Sequence, residues 1–330
     1  MIDKQKKVIV VGGAGFIGRE LVCQLSKLYK NIIVIDNLIN GRVENLNGIA
    51  NVTFIREDMR NISKIKDLIR NAEILFHLAC LGVRHSIHSP KENYDVNSTG
   101  TLDLLIAAKE VGVKKFVYVS SSEVYGKHFY SPIDEEHPTY PMTIYGAGKL
   151  AAESSVRAFY TTYGYPTVII RPFNTYGPFC HHEGDCGEVI PKFLIRSLNG
   201  EQMTIFGDGE QLRDFIYVSD TANGILLAAE NDRCIGETIN IGTGEAVTIN
   251  YIANCISDLT GSKKNISYVD PRPGDTIELH ADITKAKELF NFSPQIDLVS
   301  GLNYLKEWYS LPCHSLSSLL KEDIIYNWRV

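Results

Sequence analysis

No stretch of this 330-residue sequence is long and apolar enough to cross a bilayer. The run Val8-Ile9-Val10-Val11 behind the basic start Lys4 to Lys7 imitates a secretory leader, but it ends at Gly12-Gly13 and has no cleavage site. Excess positive charge is missing too. A net charge of -6 gives no general electrostatic reason to bind nucleic acid or an anionic membrane. A disulfide framework is absent: Cys23, Cys80, Cys180, Cys186, Cys234, Cys255 and Cys313 are odd in number and scattered, which reads as reduced thiols in a cytoplasmic protein. Repeats and low-complexity tracts are lacking as well.

What is present is a globular composition, 44% hydrophobic, on a chain long enough for a nucleotide-binding half and a smaller partner lobe. Val8 to Val11, Ile32 to Ile35, Val52 to Ile55, Ile74 to Leu78, Phe116 to Val119 and Thr167 to Ile170 read as buried strands. Helical spacing follows from Phe16, over Ile62 to Ile69, and over Asn97 to Ala108, the last capped by Asn97, Ser98 or Thr99. Strands of this kind alternating with helices predict an α/β fold, a Rossmann-type doubly wound parallel sheet with a smaller α/β substrate-binding lobe. The expected division is 1–174 for the first domain, which the chain re-enters at about 212–243 through strands at Phe215 to Val218 and Thr238 to Ile241 and a helix between them. The lobe takes 175–211 and 244–310. Residues 311–330 form an extension that is either an oligomer contact or a loose tail.

Gly12, Gly15 and Gly18 follow the first strand and open a helix, where glycine lets the backbone approach a pyrophosphate. Asp36 ends the second strand, where a carboxylate can hold both ribose hydroxyls of NAD and repel the extra phosphate of NADP. Asp58, after the third strand, either reaches the adenine or is a solvated turn residue. Tyr145 and Lys149 lie four residues apart, on one face of a helix, so the ammonium is expected to lower the pKa of the phenol. A tyrosine so sharpened can take a proton from a sugar hydroxyl while a nicotinamide takes the hydride. Ser120, Ser121, Ser122 and Glu123 follow a central strand at the edge where open α/β sheets bind ligands, and one of Ser121 and Ser122 is expected to share the proton.

Cys180, His181, His182, Asp185 and Cys186 crowd one polar loop, but the spacing departs from the usual zinc patterns and favours a mobile cover over the substrate; no metal is expected. Arg213 and Arg272 each suit a bidentate clamp on a diphosphate or a surface ion pair, and spacing alone does not choose.

Together Gly12-Gly13-Ala14-Gly15-Phe16-Ile17-Gly18, Asp36-Asn37-Leu38, His77-Leu78-Ala79, Tyr145 with Lys149, Arg171-Pro172-Phe173-Asn174 and Arg213-Asp214-Phe215 resemble the extended short-chain dehydrogenase/reductase family that modifies nucleotide sugars, over about residues 7–308. The resemblance implies that NAD stays bound, lined by Phe16, Ile17, Asn37, Met59, Leu78, Ala79, Asn97, Ser120 and Pro172. It implies a nucleoside-diphosphate sugar held by Asn174, Val189, Arg213 and Arg272, and a homodimer built on a four-helix contact.

Within that family C4 oxidation to a 4-keto sugar is shared and the outcomes diverge. Glu123 matches the residue that deprotonates C5 in 4,6-dehydratases. The segment from Arg272 to Ala286 resembles the epimerase version and lacks the arginine that decarboxylases carry near Leu279. The expectation is a 4-epimerase, then a 4,6-dehydratase, then a decarboxylase or a catalytically silent NAD-binding protein.

Overall fold

Strands whose residues are β-branched at consecutive positions have no polar face to offer water, so they come to rest in the middle of a sheet covered on both sides. The computed structural model describes residues 5–262 and 265–329; Lys4 of the basic start and Val330 at the end of the tail lie outside them. The first half runs β1 (Val8–Val11), α1 (Phe16–Ser26), β2 (Ile32–Asp36), β3 (Val52–Arg56), α2 (Ile62–Ile69), β4 (Ile74–His77), α3 (His85–His88), α4 (Pro90–Tyr94), α5 (Gly100–Glu110), β5 (Lys115–Val119), α6 (Ile144–Tyr163) and β6 (Thr167–Pro172). The second runs β7 (Asn174–Tyr176), α7 (Val189–Leu198), β8 (Met203–Phe206), β9 (Leu212–Tyr217), α8 (Val218–Glu230), β10 (Thr238–Ile241), β11 (Ala246–Thr248), α9 (Ile249–Thr260), β12 (Ile266–Val269), β13 (Glu278–Leu279), α10 (Thr284–Phe290), α11 (Leu298–Tyr309) and α12 (Leu316–Glu322).

Seven parallel strands stand in the order β10-β6-β5-β4-β1-β2-β3. Alternate residues of one strand serve opposite cores, as the pleat requires: Val8 and Val10 pack with Leu21, Leu25 and Ile225, whereas Ile9 and Val11 pack with Leu104, Phe116 and Ala152. The strand order reverses between β1 and β4, which opens a crevice at their carboxyl ends.

The return to this sheet is narrower than the sequence suggests. β10 joins it and α8 packs on α1, but β9 pairs with β7, β11 and β13 in a separate small sheet, so Phe215 to Tyr217 are not part of the main one. An apolar strand reads alike whichever sheet buries it. The helix expected to start at Asn97 also differs. Its helical path begins at Pro90, whose fixed φ suits a first turn, and runs through a π-helical segment at Asp95–Thr99 into α5, so Asn97, Ser98 and Thr99 lie inside the path and cap nothing.

Candidate active site

Helix α6 begins where Thr143 Oγ1 accepts the amide of Gly146 at 3.1 Å. The turn after β5 presses on that first turn so closely that a Cβ at residue 146 would stand 2.5 Å from the carbonyl oxygen of Glu123. This contact brings Ser121, Ser122 and Glu123 beside Tyr145. Ser121 Oγ accepts the amide of Glu123 at 3.2 Å, on the side of the turn that faces the Tyr145 phenol.

Residues 145, 149 and 153 recur every four positions and share one buried face of α6. Lys149 Nζ donates to the carbonyl of Val119 at 2.9 Å and lies 5.8 Å from the centre of the Tyr145 ring. Burial raises the Tyr145 phenol well above the ordinary tyrosine range, Cys80 and Glu123 push the same way, and the Ser121 hydrogen bond pulls it down. The sequence reading assigned that pull to Lys149. In the fold the ammonium is drawn to the strand carbonyl, and burial lowers its own pKa. One turn on, Glu153 is locked to Arg171 of β6.

Asp36 stands at the end of β2 with Oδ2 accepting the amide of Ala14 at 3.0 Å and Oδ1 that of Leu38 at 2.9 Å; burial raises its pKa and these two bonds oppose the rise. Gly12, at φ +85°, has no room for a side chain, since a Cβ would meet the amide nitrogen of Ala79 at 2.4 Å. At Gly15 a Cβ would only reach ordinary van der Waals contact, 3.5 Å from the carbonyl oxygen of Gly12. A glycine turn of this kind at a helix start, with a carboxylate at the next strand end, fits a dinucleotide. Asp58 accepts from Asn37 Nδ2 at 3.0 Å, and the Arg60 hydrogen bonds hold its carboxyl well below the usual range.

One cleft of about 440 Å³ joins these groups. Gly12, Gly15, Phe16, Ile17, Gly18, Asp36, Asn37, Asp58 and Met59 line one end; Leu78, Ala79, Ser120, Ser121, Ser122, Glu123, Tyr145, Lys149 and Pro172 the middle; Asn174, Val189, Arg213 and Arg272 the far side. Of the catalytic, cofactor and substrate residues expected from sequence, Asn97 alone does not line it. Its side chain accepts from Leu81 N at 2.9 Å and donates to Leu81 O at 2.8 Å, so it fixes the loop after β4 from behind.

Arg213 and Arg272 converge on Asp275, at 2.6 and 2.9 Å. Glu123 lies in their field: burial raises its carboxyl, and Arg272 and Arg213 draw it back. The amide oxygen of Asn174 is buried with no hydrogen-bond partner, an orphan polar atom on the ligand-facing wall. Arg84, which sequence reasoning passed over, reaches across the same cleft to Glu188 at 3.0 Å.

The crowded loop disperses its polar groups. Cys180 is buried against Tyr309, His182 sits between Glu183 and Glu322, and Asp185 meets His88 at 2.9 Å. Among the described residues no three His, Cys, Asp or Glu side chains gather as a metal site. The tail also has structure: Asn327 and Trp328 are buried against the cleft. The apolar residues Ile324, Ile325, Tyr326 and Trp328 were the available signal.

A doubly wound sheet with a glycine turn, a strand-end aspartate and a buried Tyr and Lys at its carboxyl edge defines a nucleotide-cofactor enzyme. Residues 8–242 match the NAD dependent epimerase/dehydratase family, and the chain belongs to it. A solved UDP-N-acetylglucosamine 4-epimerase from Methanobrevibacter ruminantium M1, in complex with UDP-N-acetylmuramic acid, is 37% identical, with a TM-score of 0.88 over 93% of this chain and 99% of that one. A UDP-glucose 4-epimerase of Thermotoga maritima, solved with UDP-glucose, is 35% identical, with a TM-score of 0.88 over 92% and 98%. UDP-glucuronic acid decarboxylase 1 of Xenopus tropicalis is 32% identical over 91% of this chain and 71% of its own length. No helix among the described residues is long and apolar enough to cross a membrane.

Proposed function

We propose that the protein is a nucleotide-sugar 4-epimerase working through a transient 4-keto sugar. The observation that carries this reading is the Tyr145 and Lys149 face of α6 lining one cleft with Ser121 at the carboxyl end of β5 and with the glycine turn at Gly12. NAD, when bound, would accept the hydride from C4 of the hexose and return it to the opposite face. Tyr145, ionised, takes the C4 hydroxyl proton as the carbonyl forms and gives it back on return, with Ser121 or Ser122 relaying it. Lys149, steadied by the Val119 carbonyl, would hold the ribose next to the nicotinamide.

Gly12, Gly15 and Gly18 would receive the pyrophosphate of the dinucleotide, Asp36 and Asn37 a ribose, and Asp58 with Met59 the adenine end. Asn97 acts at one remove, by holding the loop at Leu81. Asn174, Arg213 and Arg272 are the groups for the substrate diphosphate, with Val189 beside them. On this reading 1–174 with α8 and β10 is the cofactor domain and most of the remainder the substrate lobe. Two copies would pair through α5 and α6, where Ile106, Tyr160 and Tyr163 leave apolar surface exposed, with Tyr94 of α4 beside them. Free thiols at all seven cysteines suit a cytoplasmic location.

Glu123 favours a second reading, 4,6-dehydration. Burial, by raising the Glu123 carboxyl, makes its carboxylate a stronger base, able to take the C5 proton while water leaves C6. Decarboxylation stands third, since position 279 is a buried leucine and the segment around it, Thr276 to Asp282, carries no arginine. Incubation with UDP-, GDP- and dTDP-hexoses tests the choice. A C4 epimer is expected; a 4-keto-6-deoxy product, lost in Glu123→Gln, overturns epimerisation.

A further inference from the structure

The last segment of the chain folds back over α7. Asn199 Nδ2 donates to the carbonyl of Leu316 at 3.2 Å, and Asp323 then meets both cations of the helix, 3.0 Å from Lys192 Nζ and 2.5 Å from Arg196 Nε. Lys192 also donates to the carbonyl of Ile324 at 2.6 Å. Beyond this pin Asn327 Nδ2 donates to the carbonyl of Gly187 at 3.1 Å, and the Trp328 ring packs edge-on against Phe206, centroids 4.7 Å apart at 73°. Trp328 is 6% exposed and Asn327 2%, yet both line the same cleft that runs on to Tyr145 and Gly12.

We propose that this C-terminal strap builds the nucleobase end of the substrate site, with Trp328 as the surface against which the base of a nucleoside diphosphate stacks. The inference rests on the nucleotide-sugar reading given above. A hexose at Tyr145 with its diphosphate near Asn174 and Arg213 directs its base toward α7 and β8, the wall that Phe206 and Trp328 complete. Every base has a π-face, so the indole contributes affinity more than choice of base. Asp323 acts as a positioning residue: without its contacts to Lys192 and Arg196 the strap loses its charged anchor.

The test is calorimetric titration of UDP, GDP and dTDP into the purified protein with its cofactor content measured alongside. Trp328→Ala and truncation after Ser310 are expected to weaken binding of the preferred nucleotide by roughly five- to a hundredfold, with NAD per subunit at the wild-type level. Trp328→Phe keeps an aromatic face and retains most of the affinity, and Asp323→Asn falls between. In turnover, Trp328→Ala raises KM by a larger factor than it lowers kcat. Unchanged affinity in Trp328→Ala overturns the strap as a base platform and leaves the nucleotide-sugar reading standing. Loss of NAD in parallel with nucleotide makes the strap a general brace and also overturns it. A wild-type chain that binds none of the three nucleotides sinks the functional reading, and this one with it.

Discussion

Glu153 and Arg171 close a two-pronged ion pair between α6 and β6, with Arg171 Nε 2.9 Å from one carboxylate oxygen and Nη2 2.7 Å from the other. The Glu153 side chain is wholly buried, and although burial alone would raise its pKa, the Arg171 guanidinium holds it below the usual range. Tyr125 OH accepts from Arg171 at 2.8 Å and completes the guanidinium's partners. Because Glu153 shares its helix face with Tyr145 and Lys149, this pair sets the rotation of α6 that aims both into the cleft.

Glu153→Ala leaves a guanidinium buried and unpaired, which costs about 3–5 kcal/mol of stability. Urea unfolding measures it, and a loss below about 1 kcal/mol would mean that water or Tyr125 replaces the carboxylate.

Tyr145→Phe removes the proton acceptor, and turnover should fall by roughly 10² to 10⁴. The pH profile has a definite sign. The base acts ionised and burial raises its pKa, so kcat/KM climbs with pH on the alkaline side of neutrality. Ser121→Ala deletes the hydrogen bond that favours the phenolate and moves the climbing limb to higher pH. A limb that moves down, or stays, would remove Ser121 from the proton path.

Gly12→Ala places a Cβ against the Ala79 amide at a φ of +85°, so the turn must distort. Retained NAD should drop at least about tenfold while the far-ultraviolet dichroism of the sheet persists. Wild-type cofactor content in this variant is the contrary result.

His77 ends β4 with Nε2 2.9 Å from Thr101 Oγ1, and burial, with Lys149 adding to it, lowers its pKa to about 3. The unfolded chain binds a proton below about pH 6.5 that the native ring refuses, so stability falls as pH drops from there toward about 3. Between pH 7 and 5 the loss is about 2 kcal/mol from this group. His77→Asn should flatten the dependence of the urea midpoint over that window; an equal slope in the variant would assign it to other groups.

Strands and helices with a strong period are legible in the sequence: Ile62–Ile69 is a helix where apolar spacing puts it, and Thr238–Ile241 is a strand of the main sheet. The strand expected at Phe215 to Val218 belongs to the small sheet as part of Leu212–Tyr217, because a buried strand carries no label for its sheet. Asn97 was misread as a cap because its partners, Leu81 and Asn93, lie on a loop and a helix that spacing does not connect. Tyr145 and Lys149 were visible as a four-residue repeat, but the continuation to Glu153 acquires meaning only with Arg171 opposite.

By itself the sequence determined the alternation of strands and helices, the glycine turn whose positive φ at Gly12 suits a residue without a side chain, and the helical face shared by Tyr145 and Lys149. Each depends on neighbours within a few positions, where backbone geometry is fixed by residue type. The tertiary structure decided the rest: the ammonium of Lys149 goes to Val119 and not to the phenol, Arg213 and Arg272 share Asp275, and the tail brings Trp328 to Phe206. Those outcomes turn on which carbonyl, carboxylate or ring the packed core brings within about 3 to 5 Å, a distance that periodicity along a chain does not encode.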